Sequence, residues 1–141
     1  MIKIQKYAAV DIGSNAVRLL ISSVVSQDNN IVEVKKISLV RVPIRLGLDG
    51  FLKNKIQKDN ITRLNDAMKA FKLLMKIHSV SKYKICATSA MREATNSLAI
   101  INDIYSKTGL KIDVISGKDE ASLIADTFFA NHFNFDHTYL F

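Results

Sequence analysis

Residues 7–15 constrain the fold most. Tyr7-Ala8-Ala9-Val10-Asp11-Ile12 is an apolar strand that delivers one carboxylate, Asp11, to a Gly13-Ser14-Asn15 turn, and Ala16-Val17-Arg18-Leu19-Leu20-Ile21 follows as a second strand. The turn therefore joins two antiparallel neighbours, which excludes a P-loop or a dinucleotide-binding fold, where a helix must follow the glycine. Gly13 lets the backbone approach an anion closely, and the amides and side chains of Ser14 and Asn15 can donate to phosphate oxygens. A plain hairpin turn uses the same residue types. An unpaired carboxylate at the end of an apolar central strand is costly unless a cation offsets it, which favours a metal-bound phosphate. Arg18, on the face of the second strand, has a simpler use in pairing with a carboxylate.

The chain has 141 residues, 48% of them apolar, enough to bury one ordinary core. It has no apolar stretch of about 18 residues and no hydrophobic signal core behind its charged start, so neither a membrane partner nor export is expected, and the cytoplasm is. The single cysteine, Cys86, lies in the apolar run Lys84–Thr88 with no histidine near it, and reads as a buried structural thiol. The net charge of +7 is uneven: residues 1–92 carry 17 Lys and Arg against 6 acids, residues 93–141 carry 3 against 7. The basic part should attract polyanions. With no Trp and no aromatic-basic interleaving, nucleic acid is not the expected partner, and inorganic or nucleotide phosphate fits better. His78, His132 and His137 lack metal-ligand spacing.

Two β-rich runs, Ala16–Val25 and Ile31–Val42, flank Gln27-Asp28-Asn29-Asn30, whose Asp and Asn residues suit a tight hairpin. With residues 7–12 they make three consecutive antiparallel strands, the third ended by Pro43. Arg45–Gly50 reads as a loop with two glycines leading into a basic linker at Lys53–Lys58. Ile61, Leu64, Met68, Phe71 and Met75 recur at intervals of three and four, which predicts an amphipathic helix over about 57–78 with Lys69, Lys72 and Lys76 off the buried stripe. Then come an extended Lys84–Thr88, a helix over Asn96–Lys107 closed by Gly109, an extended Lys111–Ile115, and a helix over about Lys118–Ala130. The order βββαβαβα is that of a ribonuclease-H-like α/β subdomain with a mixed sheet. His137–Phe141 begins a further extended run.

Two more segments could carry chemistry. In Ala87-Thr88-Ser89-Ala90-Met91-Arg92-Glu93-Ala94 a strand ends and a helix opens, so the Thr88 and Ser89 hydroxyls can cap that helix and Arg92 can face an anion. Taken alone, the segment reads first as an ordinary N-cap. In Val114-Ile115-Ser116-Gly117-Lys118-Asp119-Glu120-Ala121, Ser116 and Asp119 match a capping box, and acids in a first helical turn suit the helix dipole.

Together the three segments, Ala9–Leu19, Ala87–Ala94 and Val114–Ile124, resemble in order and wording the motifs of the exopolyphosphatase and guanosine pentaphosphate phosphohydrolase (Ppx/GppA) family. That family belongs to the actin, sugar-kinase and heat-shock chaperone superfamily. This chain has Asp119 where a glutamate is usual and Ser122 where arginine is frequent. The resemblance implies a first lobe over residues 1–136, with residues 137–141 starting the strand that leads to a second lobe. It implies that Asp11 holds magnesium, usually through water, and that Gly13, Ser14, Asn15, Thr88, Ser89 and Arg92 contact phosphate. Glu93 then orients Arg92, and Glu120 is the base that activates water. The implied reaction releases terminal phosphate from inorganic polyphosphate or guanosine pentaphosphate. A kinase or ATPase of the same superfamily would share the first loop without needing Glu120. A lobe that only binds polyphosphate or a partner chain is the non-enzymatic alternative. A first lobe taken alone exposes the face that meets the second, so a homo-oligomer is expected.

Overall fold

The computed structural model describes residues 1–122. The expected helix beyond residue 122, the strand at His137–Phe141 and the lobe boundary at 136 lie outside them. Three long strands come first, β1 (Ile2–Ile12), β2 (Val17–Gln27) and β3 (Asn30–Val42), followed by helices α1 (Leu46–Lys53) and α2 (Lys58–Ile77). Strand β4 (Lys82–Ala87), helices α3 (Ser89–Glu93) and α4 (Ser97–Thr108) and the short β5 (Asp113–Val114) complete the named elements, and residues 117–122 are helical.

The five strands form one sheet in the order β3-β2-β1-β4-β5. The pairs β1/β2 and β2/β3 are antiparallel, and β1/β4 and β4/β5 are parallel. This is the mixed α/β sheet expected from the sequence. The β2–β3 turn places Asp28 and Asn29 at φ 49° and 67°, the left-handed conformations those residue types tolerate. Pairing through Ile2↔Gln27 extends β1 five residues further back than the apolar run suggests.

Alternation along the strands decides the two faces. Ala8, Val10 and Ile12 of β1, Val17, Leu19 and Ile21 of β2, and Ile85 and Ala87 of β4 are buried, and they join Leu64, Met68, Phe71 and Met75 of α2 and Ile100 and Ile104 of α4 in one core. The predicted stripe of the long helix is thus its core face, each large side chain contributing about 1.5–3 kcal/mol by leaving water. Lys72 does not simply face solvent: its ammonium donates to the Thr108 carbonyl at the end of α4, a cation at the negative helix end. Gly109 follows with φ 74°, closing α4 as a left-handed cap.

The segment expected as a loop, Arg45–Gly50, is instead the start of α1. Its entry residue, Arg45, has φ 63°, and its N–H donates to the Asn15 carbonyl at 2.9 Å. The Arg63 guanidinium donates to the Pro43 and Ile44 carbonyls (2.7 and 3.4 Å), which seats that entry on α2. Buried Asp49 accepts from the Gln57 N–H at 3.0 Å and from Asn60 Nδ2 at 2.8 Å, pinning α1 to the first turn of α2. Among the described residues no helix is long and apolar enough to cross a membrane.

Candidate functional site

The three candidate motifs follow β1, β4 and β5, which are parallel neighbours, so their carboxyl ends bring residues 11–15, 88–92 and 116–120 to one edge of the sheet. Backbone bonds join the three ends. The Thr88 N–H donates to the Ile12 carbonyl at 3.2 Å and the Ile115 N–H to the Ala87 carbonyl at 3.0 Å. In open sheets, ligands bind beyond such ends.

Asp11 projects from β1 on the face away from α2 and α4. It lies opposite Arg18 of β2, with Arg18 Nη2 at 3.2 Å from Asp11 Oδ2. The carboxyl is pushed above its usual range, chiefly by burial; the Arg18 cation opposes this and the Glu120 charge adds to it. Glu120 and Asp11 line the same open depression of about 480 Å³, with Arg18, Leu20, Cys86 and Thr88. Arg92, on α3, donates from Nη1 to the Ile115 carbonyl at 2.9 Å and stands 3.9 Å from Glu120 Oε2 and, through Nε, 3.7 Å from Glu93 Oε1. It therefore ties the second motif to the third before any anion is involved.

The 13–15 turn is partly committed. The Gly13 N–H closes the turn on the Ala16 carbonyl at 3.0 Å, so it is not one of the amides available to an anion. The Ser14 and Asn15 N–H groups have no acceptor among the described residues, and Ser14 is half-buried and Asn15 exposed. The Ser14 and Ser89 hydroxyls meet at 2.9 Å, linking residues 75 positions apart. The expected side-chain capping of α3 by Thr88 and Ser89 is not made. Thr88 Oγ1 turns to the Ile12 carbonyl and Ser89 Oγ to Ser14.

Capping accounts for one acid of the third motif and not the other. Ser116 Oγ accepts from the Asp119 N–H at 3.1 Å and donates to Asp119 Oδ2 at 2.7 Å. Glu120 faces Arg92 and the depression. Cys86 is half-buried on that depression rather than in the core. Burial pushes its thiol up, against the opposing Lys84 cation, with the Asp113 and Asp11 charges adding.

Sequence reasoning missed α1 as part of the site. The Gly47 N–H donates to the Ser14 carbonyl at 2.8 Å and the Arg45 N–H to the Asn15 carbonyl. The signal lies in the two glycines, which suit a close helix contact as well as a loop.

Magnesium suits this donor set in one mode. No group of three or more His, Cys, Asp or Glu residues able to hold a metal occurs among the described residues. Magnesium commonly keeps its waters and uses one or two carboxylates together with substrate phosphates. Asp11, a single half-buried carboxylate on a depression it shares with Glu120, is a donor set of that size.

The mixed sheet is that of a ribonuclease-H-like lobe, with its three motifs gathered at one edge. The model of the Ppx/GppA phosphatase family matches residues 23–136. The chain belongs to that family. It is 38% identical over 117 residues to a bifunctional 3-dehydroquinate synthase/phosphatase of Fusobacterium nucleatum, covering 81% of this chain and 18% of that protein. It is 31% identical over 118 residues to a guanosine-5'-triphosphate,3'-diphosphate pyrophosphatase of Vibrio cholerae, covering 84% of this chain and 23% of that protein. The chain thus spans about a fifth of the length of these curated relatives. Among solved structures, the Aquifex aeolicus Ppx/GppA family member superposes with a TM-score of 0.77 at 26% identity, over 89% of this chain and 40% of that one. An exopolyphosphatase from Cytophaga hutchinsonii gives 0.75 at 27%, over 84% and 36%. These likenesses place the fold in the actin and sugar-kinase superfamily.

Proposed function

We propose that this chain is the first lobe of a phosphohydrolase that releases terminal phosphate from inorganic polyphosphate or guanosine pentaphosphate. The observation that carries the reading is the convergence of Glu120, Arg92 and Asp11 at the carboxyl ends of three parallel strands, in a family of phosphatases.

Glu120 is the general base. Its carboxylate takes a proton from water as the water oxygen bonds to the terminal phosphorus, and the bridging P–O bond breaks to release orthophosphate and the shortened chain. The Arg92 cation holds Glu120 in place through their 3.9 Å ion pair and presents charge to the phosphate chain. The Ser14 and Asn15 amides donate to phosphate oxygens, where fixed dipoles act without reorganising. Asp11 would hold magnesium, which when bound balances charge on those oxygens. Arg18 keeps the Asp11 carboxylate in place on the sheet.

The test joins the 141-residue chain to the second lobe of a Ppx/GppA relative and follows magnesium-dependent phosphate release. Glu120→Gln should lose about 10²–10⁴ in rate, the usual contribution of a positioned base. Release within a few-fold of the parent would leave Glu120 as a first-turn acid of its helix and no more.

A further inference from the structure

We propose that α1 is the positioning element of the phosphate site, with Gly47 and Gly50 its two positioning residues. The inference rests on the phosphate-site reading above and adds to it a residue pair outside the three motifs.

Two glycines three apart lie on one side of α1. A Cβ on Gly47 would stand 3.0 Å from Ser14 Cβ and 3.2 Å from the Ser14 carbonyl oxygen, and one on Gly50 would stand 2.8 Å from the Ala90 carbonyl oxygen and 3.3 Å from Ala90 Cα. The helix backbone therefore touches the first motif through Gly47 and the second through Gly50. It sets the gap across which the Ser14 and Ser89 hydroxyls meet at 2.9 Å.

Peptide planarity gives this contact a chemical consequence. The Ser14 carbonyl and the Asn15 N–H belong to one planar trans peptide and point in opposite directions. By donating to the Ser14 carbonyl at 2.8 Å, the Gly47 N–H fixes that carbonyl toward α1. The Asn15 N–H is thereby turned away from α1. The Arg45 N–H does the same to the next peptide through the Asn15 carbonyl, at 2.9 Å. Arg45 meets that carbonyl in a left-handed conformation unusual for a side chain of its kind, the sort of local strain that surrounding structure must hold.

Magnesium tripolyphosphate is titrated calorimetrically into the 141-residue chain, and the Ser14 and Asn15 amide resonances are followed by NMR. Gly47→Ala should weaken binding about tenfold, from one misdirected donor, and shift both amides. Leu48→Ala, on the exposed side of the same helix, should change neither. Arg63→Ala frees the Pro43 and Ile44 carbonyls that seat the α1 entry. It adds no volume, and it should move the same amides even if Gly47→Ala prevents folding. Unmoved amides in a folded Gly47→Ala and in Arg63→Ala would overturn the proposal. A parent chain that ignores tripolyphosphate would count against the phosphate reading alone, because the amide shifts still decide what α1 does.

Discussion

Asp11 and Arg18 face each other across the β1–β2 ladder, with Arg18 Nη2 3.2 Å from Asp11 Oδ2, yet the carboxyl remains harder to ionise than an ordinary aspartate. Burial outweighs the cation. A residue whose charged form is disfavoured by the fold is a liability to stability and an invitation to a second cation.

That relationship predicts a pH dependence. Because the folded carboxyl binds its proton more tightly than the unfolded one, its contribution to stability is full below the ordinary aspartate range. It is lost as pH rises through the raised value. Asp11→Asn should match the parent in thermal midpoint at about pH 3 and exceed it at about pH 7. Magnesium should raise the midpoint of the parent and leave that of the variant unchanged. A variant less stable than the parent at neutral pH would mean that the Arg18 pair outweighs burial.

Cys86 offers a chemical reading of the same depression. With its thiol pushed up by burial, it should alkylate more slowly than a free thiol at about pH 8, because less thiolate is present. Magnesium tripolyphosphate should slow the reaction further, since Cys86 shares the depression with Asp11 and Glu120. Rapid, ligand-independent alkylation would place the anion elsewhere.

Lys72 and Lys76 separate an anchoring cation from a solvated one. Lys72 donates to the last carbonyl of α4, whereas Lys76 is exposed near the end of α2. Lys72→Ala should cost about 1 kcal/mol of stability, and Lys76→Ala almost none, by urea titration. Equal effects would mean that only general positive charge matters.

The strands and the long helix were legible because their signals are local. Alternation fixed the faces of β1 and β2, Asp28 and Asn29 marked the hairpin, and the Leu64–Met75 stripe marked the core side of α2. Helix α1 was not legible because nothing local favours it: it contains two glycines and begins at a left-handed arginine. Contacts with Ser14 and Ala90, distant in sequence, hold it, and those same contacts require the glycines. Similarly, the motifs were visible as residue types, but which donors are committed was not. Closure of the turn on Ala16 takes the Gly13 amide, and the Ser14–Ser89 bond diverts a hydroxyl expected to cap α3.

The claim that Arg92 and Glu120 belong to one phosphate site is tested most directly by a single calorimetric comparison. Magnesium tripolyphosphate is titrated into Arg92→Ala and into Glu120→Gln of the 141-residue chain at low salt, where charge effects are least screened. Arg92→Ala should weaken binding about tenfold or more, the worth of a charge-assisted bond. Glu120→Gln should bind as tightly as the parent or more tightly, because it removes a negative charge facing the polyanion and leaves Arg92 tied to the Ile115 carbonyl. Affinities that fall together, or that do not move at all, would contradict the assignment.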